Sequence, residues 1–307
     1  MNFYKENLKE IRGDASFRIF FRKKINKKSS IIVYAKKNRK INLLIYDSIN
    51  KLLIKNKIIA PKLYKENYKK NYIEIEDFGD KTLYKVLKNK KTNKINLYKK
   101  INYLLLNIQK IKKIKIQNFL NKDYKIPIYS KKILFNEADL FCQWYIPQNI
   151  KKYKKKILKE RLRFQIRFLL SKIKMKNNFF VHRDFHVSNL IKYKKKIAII
   201  DSQDAVIGNR AYDLASLIDD VRLRTSNKLK KSIFENYLKK NKEIIDTDSF
   251  KNDFEILSIL RNLKIIGIFT RLAIRDKKKR YLKLIPYAWK LIELRLNNNF
   301  LFKELED

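Results

Sequence analysis

The chain has 307 residues, of which 45% are hydrophobic, and it carries a formal net charge of +45. This length and apolar content predict an ordinary globular protein with about two lobes of roughly 150 residues each. The single cysteine, Cys142, excludes an internal disulfide, and no apolar run approaches the roughly 18 to 20 residues that a membrane span needs.

The positive charge is weak support for a nucleic-acid partner, because it follows a general bias in composition. Lysine, isoleucine and asparagine are abundant, whereas the chain has only 4 glycines and 4 prolines, and arginine is scarce relative to lysine, at 16 of the 75 Lys and Arg residues. The favoured residues share A/T-rich codons, and surface lysine tolerates such drift because its ammonium stays in water. The charged N-terminus also lacks the apolar core of a signal peptide. We therefore expect a cytoplasmic protein, a monomer or weak dimer, without a nucleic-acid partner.

The first part of the chain alternates between strand and helix patterns. Residues 17–23 and 29–35 are short and rich in β-branched and aromatic side chains, as strands are. Residues 41–56 place Leu43, Ile45, Ile49, Leu52 and Leu53 on one helix face. Residues 72–76 alternate apolar and acidic side chains, which predicts another strand. This pattern ends at Gly79, so we expect a hinge near residues 77–80.

Helical patterns dominate after Gly79. We expect helices over about 94–113, 131–145, 154–173, 211–224, 228–240 and 279–296. Strand character returns once, at residues 190–193 and 197–200, which predict a hairpin turned by lysines. The expected fold is therefore α+β and protein-kinase-like, with two lobes: a small β-rich lobe over residues 1–78 and a larger, mainly helical lobe over 79–307.

Both histidines of the chain lie in the sequence HRDFHVSN, residues 182–189. This sequence differs from the H-R-D-L-x-x-x-N catalytic loop of kinases only in having Phe185 where leucine is usual. In that pattern a metal-binding aspartate follows the next hairpin, and Asp201 ends the second predicted strand of the hairpin. The order of Asp184, Asn189 and Asp201 therefore predicts a phosphoryl-transfer site.

Phosphoryl transfer requires positioning and charge neutralisation more than covalent chemistry from the protein. The carboxylate of Asp184 is suited to accept the proton of an attacking hydroxyl, as a general base. Asn189 and Asp201 offer amide and carboxylate oxygens, the hard ligands that Mg²⁺ prefers when it also bridges substrate phosphates. We therefore predict Asp184 as the catalytic residue, Asn189 and Asp201 as metal ligands, and ATP and Mg²⁺ as cofactors.

The two histidines have different expected roles. His182 is expected to pack behind the catalytic aspartate and support the loop. His186 either orients the loop or contacts the substrate. A zinc site formed by the two histidines, as in H-E-x-x-H, is disfavoured because the intervening glutamate is missing.

These motifs resemble the aminoglycoside phosphotransferase and choline-kinase-like family, whose members share the protein-kinase fold and phosphorylate small molecules. The resemblance spans most of residues 12–220 and is carried by the segments RGDASFRIFFR, EDFGDKTLY, VHRDFHVSNLI and DSQDAVIGNRAYDLASL. It is closest to bacterial kinases that phosphorylate the anomeric hydroxyl of N-acetylmuramate and N-acetylglucosamine in cell-wall recycling. The resemblance implies that Asp213, in YDLA, supports the catalytic loop, and that a small molecule, an amino sugar, is the acceptor.

The nucleotide-binding residues depart from the kinase pattern. No G-x-G-x-x-G loop is present, so Gly13, Ser16 and nearby backbone N–H groups are the candidates for covering phosphates, although an ordinary hairpin explains this turn equally well. Lys36 is the candidate for a phosphate-contacting lysine, but it does not lie where V-A-I-K would place it. Asp77, at the hinge, is a further nucleotide-binding candidate.

Three more residues are candidates for acceptor binding. Asp204 has the chemistry for a second metal or a sugar hydroxyl, and capping of the next turn is an equal alternative. Glu137 and Trp144 lie on one predicted helix before the catalytic loop. The ring of Trp144 is able to stack on a sugar, but an aromatic residue at helical spacing is more often part of a core.

Two other function classes fit some features of the sequence. The alternative hypothesis is a kinase-shaped scaffold that uses its basic surface, for example KKYKKK at residues 151–156, to bind RNA or membrane. Such binding would weaken steeply with salt. The retained acids at 184 and 201 argue against it. A protein kinase is disfavoured because no A-P-E signature follows Asp201.

Overall fold

The computed structural model describes residues 8–11, 18–26, 28–112, 114–241 and 246–297. The chain divides into two compact units. The first comprises Met1–Lys94, Tyr103–Pro127 and His186–Val206, and the second comprises Ile95–Asn102, Ile128–Phe185 and Ile207–Asp307. Because each unit gathers several chain segments, the single lobe boundary between residues 78 and 79 stays a prediction.

A five-stranded antiparallel sheet forms the centre of the first unit. Its strands, in spatial order, are β1 (Leu8–Ile11), β2 (Ile19–Ile25), β3 (Lys28–Tyr34), β5 (Tyr72–Glu76) and β4 (Leu63–Asn67). The predicted strands correspond to β2, β3 and β5. The two unpredicted strands, β1 and β4, are the edges of the sheet, and such largely exposed strands lack the regular apolar alternation of a half-buried one.

Helix α1 (Ile41–Lys55) packs on this sheet, as its apolar face predicts. Leu43 and Tyr46 of α1 form a shared core with residues of the sheet side: Val33, Ala35, Ile73 and Ile75. This packing places the buried C-terminal half of α1 inside the first unit, where Asn50 is 3% exposed.

Several further elements belong to the first unit. Helix α2 (Leu83–Lys88) is capped by the Thr82 hydroxyl, and β6 (Lys115–Gln117) pairs with β7 (Asp123–Lys125). Strands β9 (Leu190–Tyr193) and β10 (Lys196–Ile199) form the predicted hairpin. Helix α3 (Lys94–Gln109) contributes residues to both units.

Helices make up most of the second unit. In chain order they are α4 (Lys131–Ala138), a π-helical segment (Phe141–Tyr145), α5 (Ile146–Asn149), α6 (Lys155–Ser171), α7 (Ala211–Ile218), α8 (Asn227–Lys239), α9 (Thr247–Ile274) and α10 (Ile285–Leu296). Two short strands, β8 (Phe179–Val181) and β11 (Val206–Gly208), pair with each other. The helix expected over 131–145 is thus interrupted, because α4 ends and the backbone continues with wider π turns.

Helix α9 is the longest in the described part of the chain, and the sequence did not predict it. Its buried residues occupy every side of the helix, from Phe250 to Ala273. A helix that is enclosed on all sides has no polar stripe, so the 3.6-residue periodicity that reveals surface helices is absent. Within the described ranges, no helix combines the length and apolarity that crossing a bilayer requires.

A buried carboxylate joins four helices of the second unit. Asp219, just after α7, accepts hydrogen bonds from Lys230 on α8 at 2.8 Å, Ser258 on α9 at 2.6 Å, and Arg295 on α10 at 2.8 and 3.0 Å. Burial raises the pKa of Asp219, but the charges of Lys230 and Arg295 outweigh this effect and hold the pKa well below its usual range. The ionised carboxylate therefore balances two buried cations.

Replacing Asp219 with asparagine should lower the free energy of unfolding by about 3 to 5 kcal/mol, because two buried cations lose their counter-charge. Urea unfolding followed by circular dichroism measures this change. Because the pKa is lowered in the fold, the stabilisation should be present above about pH 4 and lost as the pH falls further.

The matched control is Glu235→Gln, which removes an exposed carboxylate lying 3.9 Å from Lys231. It should cost less than about 1 kcal/mol. Equal effects of the two substitutions would contradict a structural role for the buried cluster.

The backbone of α9 lies directly against the start of the π-helical segment. A Cβ atom at Gly267 would lie 2.4 Å from the carbonyl carbon of Leu140 and 2.6 Å from the amide nitrogen of Phe141. No side chain fits in this space. The contact holds α9 beside the chain segment that follows α4.

Gly267→Ala should therefore lower the free energy of unfolding by at least about 1 to 3 kcal/mol, the cost of overpacking a core. The sign of this change in the free energy of unfolding is informative, because Gly→Ala in an exposed helix would stabilise the helix by up to about 1 kcal/mol. Thermal unfolding of the purified variant measures the change. A raised melting temperature would show that the two backbones have room to separate.

Candidate active site

The sequence HRDFHVSN forms a loop after β8. His182, Phe185, His186 and Val187 are buried, whereas Asp184 and Asn189 are partly exposed. The buried side chains anchor the loop and leave the two predicted functional side chains accessible. The division between the two compact units falls between Phe185 and His186, so the residues on each side are described within their own unit.

In the second unit, Asp213 on α7 holds the backbone immediately before Asp184. Its two carboxylate oxygens accept hydrogen bonds from the backbone N–H groups of His182, at 2.6 Å, and Arg183, at 3.0 Å. Burial raises the pKa of Asp213 to about 7, and the nearby charge of Asp184 adds to the rise. Arg183 has a left-handed backbone with φ of 71°, a conformation that costs free energy in a non-glycine residue. The hydrogen bonds to Asp213 compensate for this strain.

The side chain of Arg183 is held by Glu137 on α4. The same carboxylate contacts the Tyr129 hydroxyl and forms an ion pair with Lys264 on α9 at 2.9 Å. Burial raises the pKa of Glu137, but Lys264 and Arg183 outweigh it and leave the pKa lowered. Glu137 therefore carries a negative charge between two cations, a role that positions the loop whether or not it also contacts an acceptor.

Lys264 brings a positive charge close to Asp184. Burial lowers the pKa of Lys264, but the neighbouring Tyr212, Glu137 and Asp184 outweigh this effect and raise the pKa overall. The sequence did not identify Lys264, because one lysine among so many carries no signal and α9 itself was not predicted.

In the first unit, the chain after His186 presents Asn189. Its backbone N–H donates to the carbonyl of His186 at 2.9 Å, and its side-chain nitrogen lies 3.5 Å from the His186 ring. The Asn189 carbonyl accepts from the N–H of Ile200 at 3.0 Å, which joins the loop to the chain just after β10. His186 thus contacts Asn189 through its backbone and its ring, and the role predicted for it stays a prediction.

Asp201 follows the hairpin and has a left-handed backbone with φ of 64°. Its side chain is 36% exposed, and Oδ1 accepts a hydrogen bond from Arg18 at 2.8 Å. The next residue, Ser202, is fully buried and donates to the side chain of Asn50 on α1 at 2.7 Å. The turn that carries Asp201 is therefore attached to α1.

Asparagine and aspartate oxygens are suitable ligands for Mg²⁺. Among the residues that the structure describes, no group of three or more His, Cys, Asp or Glu side chains could enclose a metal ion. Mg²⁺ in phosphoryl-transfer sites requires no such cage, since it is held by one or two carboxylates together with water and substrate phosphates. Asn189 and Asp201 fit this requirement.

The other predicted residues have varied surroundings. Asp204 is exposed and accepts a hydrogen bond from Gln203, and Trp144 is half-buried in the π-helical segment. Lys36 is exposed after β3. Gly13 and Ser16 lie outside the described residues. Whether any of them contacts a ligand stays a prediction.

Asp77 has a clear structural environment at the predicted hinge. Its carboxylate accepts hydrogen bonds from Arg22 on β2 at 2.6 and 3.1 Å and from the backbone N–H of Gly79 at 2.8 Å. Arg22 also pairs with Asp80, and together the two carboxylates raise the pKa of Arg22. These contacts bind the hinge residues to the sheet. The sequence did not single out Arg22, because its carboxylate partners lie more than 50 residues away along the chain.

Comparison with known proteins supports the sequence motifs. Residues 126–247 match the family model described as the phosphotransferase enzyme family, which confirms the predicted resemblance. An N-acetylmuramate/N-acetylglucosamine kinase from Neisseria meningitidis is 25% identical over 89% of this chain and 81% of its own length.

Solved structures show the same fold. An ethanolamine kinase from Plasmodium vivax has a TM-score of 0.63 at 17% identity, covering 97% of this chain and 84% of that one. A spectinomycin phosphotransferase in complex with ADP and spectinomycin has a TM-score of 0.61 at 17% identity, covering 94% and 92%. The predicted α+β, protein-kinase-like fold is confirmed.

We expect Asp213→Asn to loosen the loop over residues 182–189, because an amide has only one acceptor oxygen for two backbone N–H groups. The orphaned donor should cost about 1 to 3 kcal/mol. Hydrogen exchange should be faster at the amides of His182 and Arg183 than in the wild type. Asp220→Asn is the control, since that buried carboxylate accepts from Arg222 and not from the loop. Unchanged protection in Asp213→Asn would argue against its supporting role.

Proposed function

We propose that the chain is an ATP-dependent small-molecule kinase and that it phosphorylates the anomeric hydroxyl of an amino sugar, N-acetylmuramate or N-acetylglucosamine. The observation that carries the proposal is the H-R-D-x-H-x-x-N loop, in which Asp184 follows two backbone groups held by Asp213. The matched phosphotransferase family supports the reaction type. The sugar kinase from Neisseria meningitidis supports the acceptor class.

Asp184 acts as the general base in this proposal. Its partly exposed carboxylate is able to accept a hydrogen bond from an acceptor hydroxyl and then take the proton as the oxygen attacks phosphorus. An anomeric hydroxyl is more acidic than the other hydroxyls of a sugar, because the ring oxygen stabilises the alkoxide. A carboxylate base therefore suits this position of the substrate well.

Asn189 and Asp201 would hold Mg²⁺ through one amide oxygen and one carboxylate oxygen. When bound, Mg²⁺ would supply the positive charge that neutralises the transferring phosphates. The protein contributes the fixed orientation of both ligands: His186 contacts the Asn189 amide, and Ser202 attaches the Asp201 turn to α1. The side chains of Asn189 and Asp201 are thus positioned before Mg²⁺ and nucleotide bind.

Several finer features belong to the same proposal. We infer that the kinase acts in the cytoplasm, where ATP is available, as a monomer or weak dimer and without a nucleic-acid partner. Glu137, Asp204, Trp144 and His186 remain the candidates for acceptor contacts. Lys264 joins them because its ammonium lies near Asp184 and because N-acetylmuramate carries a carboxylate.

The decisive experiment is an ATP-consumption assay with N-acetylmuramate, N-acetylglucosamine, free hexoses, choline and an aminoglycoside. Amino sugars should be turned over, and ³¹P NMR should place the product phosphate on C1. Asp184→Asn should lower kcat by about 10² to 10⁴, the contribution of a general base.

Asp123→Asn is the control, because that exposed aspartate pairs with Lys115 in the β6–β7 hairpin. It should retain wild-type kcat. Turnover that survives Asp184→Asn would refute the catalytic assignment. A phosphate on C3 or C6 would refute the anomeric specificity but not the kinase activity.

A further inference from the structure

The phosphate-contacting cation of the first unit is not evident from the sequence. Lys36 and Lys37 follow β3, but both are exposed. Arg18, immediately before β2, has the opposite character, because its side chain is only 3% exposed. A cation that is buried before a ligand binds has already lost much of its conformational freedom, which reduces the cost of binding.

Arg18 is held on three sides. Its guanidinium lies over the rings of Phe20, at 5.7 Å, and Tyr46, at 5.6 Å, and Nη2 donates to Asp201 at 2.8 Å. Cation–π contacts are strongest where water is excluded, and Tyr46 is 3% exposed. The two rings therefore fix the guanidinium beside the proposed metal ligand.

Attachment of the Asp201 turn does not by itself explain why the buried Arg18 guanidinium lies beside Asp201. The turn that carries Asp201 already has an independent attachment to α1 through Ser202 and Asn50. A fixed positive charge beside Asp201 opposes Mg²⁺ binding, because like charges at short range repel. Several negative charges that arrive with the metal would remove this conflict, and a nucleotide polyphosphate supplies them.

We propose that Arg18 contacts the nucleotide phosphates beside Asp201 and serves as the phosphate-binding cation of the first unit. This inference rests on the proposed kinase function. The planar guanidinium presents several N–H donors in a fixed fork, so it is suited to contact Asp201 and a phosphate oxygen together. Arg18 therefore takes the phosphate-contacting role for which Lys36 was the candidate. A second consequence is that Mg²⁺ binds more tightly when a polyphosphate is bound as well.

The test is isothermal titration of wild-type protein, Arg18→Met and Arg18→Lys with ADP and with adenosine, both in the presence of Mg²⁺. Loss of a charged hydrogen bond should weaken ADP binding by about 10- to 100-fold in Arg18→Met. Adenosine binding should be unchanged, because adenosine has no phosphate. Arg18→Lys should recover part of the ADP affinity, since it keeps the charge but not the fork.

Arg39→Met is the matched control, because it removes an exposed arginine from the same unit, and it should bind both ligands like the wild type. Lys36→Met tests the competing candidate.

Equal weakening of ADP binding and adenosine binding in both Arg18 variants would show a structural role and overturn the inference. Unchanged ADP affinity, or selective loss in Lys36→Met instead, would also overturn it. A wild-type protein that binds no ADP would overturn the proposed function itself.

Discussion

The hydrogen bonds from His182 and Arg183 to the buried carboxylate of Asp213 are the constraint on which the candidate site depends. They hold the backbone in place immediately before Asp184, and Glu137 holds the Arg183 side chain in turn. Catalytic groups that are oriented before substrate arrives require no reorganisation during the reaction. Asp184, the proposed base, therefore derives its position from a helix and a neighbouring carboxylate that need not touch the substrate.

The parts of the fold and site that the sequence predicted have local signals. Strands β2, β3 and β5 are short apolar runs, and α1 has a one-sided apolar stripe. The order of Asp184, Asn189 and Asp201 was recognisable because acids are sparse in a lysine-rich chain and because the spacing surrounds a hairpin. Chemistry and spacing together identified this motif, whereas composition alone would have suggested nucleic-acid binding.

The parts that the sequence did not predict depend on distant partners. Arg18 and Asp201 are separated by 183 positions, and nothing in either neighbourhood indicates the other. Lys264 is important because it meets Glu137, yet it lies on a helix whose burial on all sides removes its periodicity. In both cases the role of a cation is set by the carboxylate it reaches in the fold, and this information is not local.

The contact of Gly267 with the backbone of Leu140 and Phe141 also bears on how this sequence has changed. Every glycine codon begins with two guanines, so a mutational pressure toward A and T removes glycine wherever selection permits. Gly267 lies at a point where any side chain would separate two helical segments. In a chain of such biased composition, a glycine at a close backbone contact therefore marks a geometric requirement of the fold, whereas a surface lysine marks none.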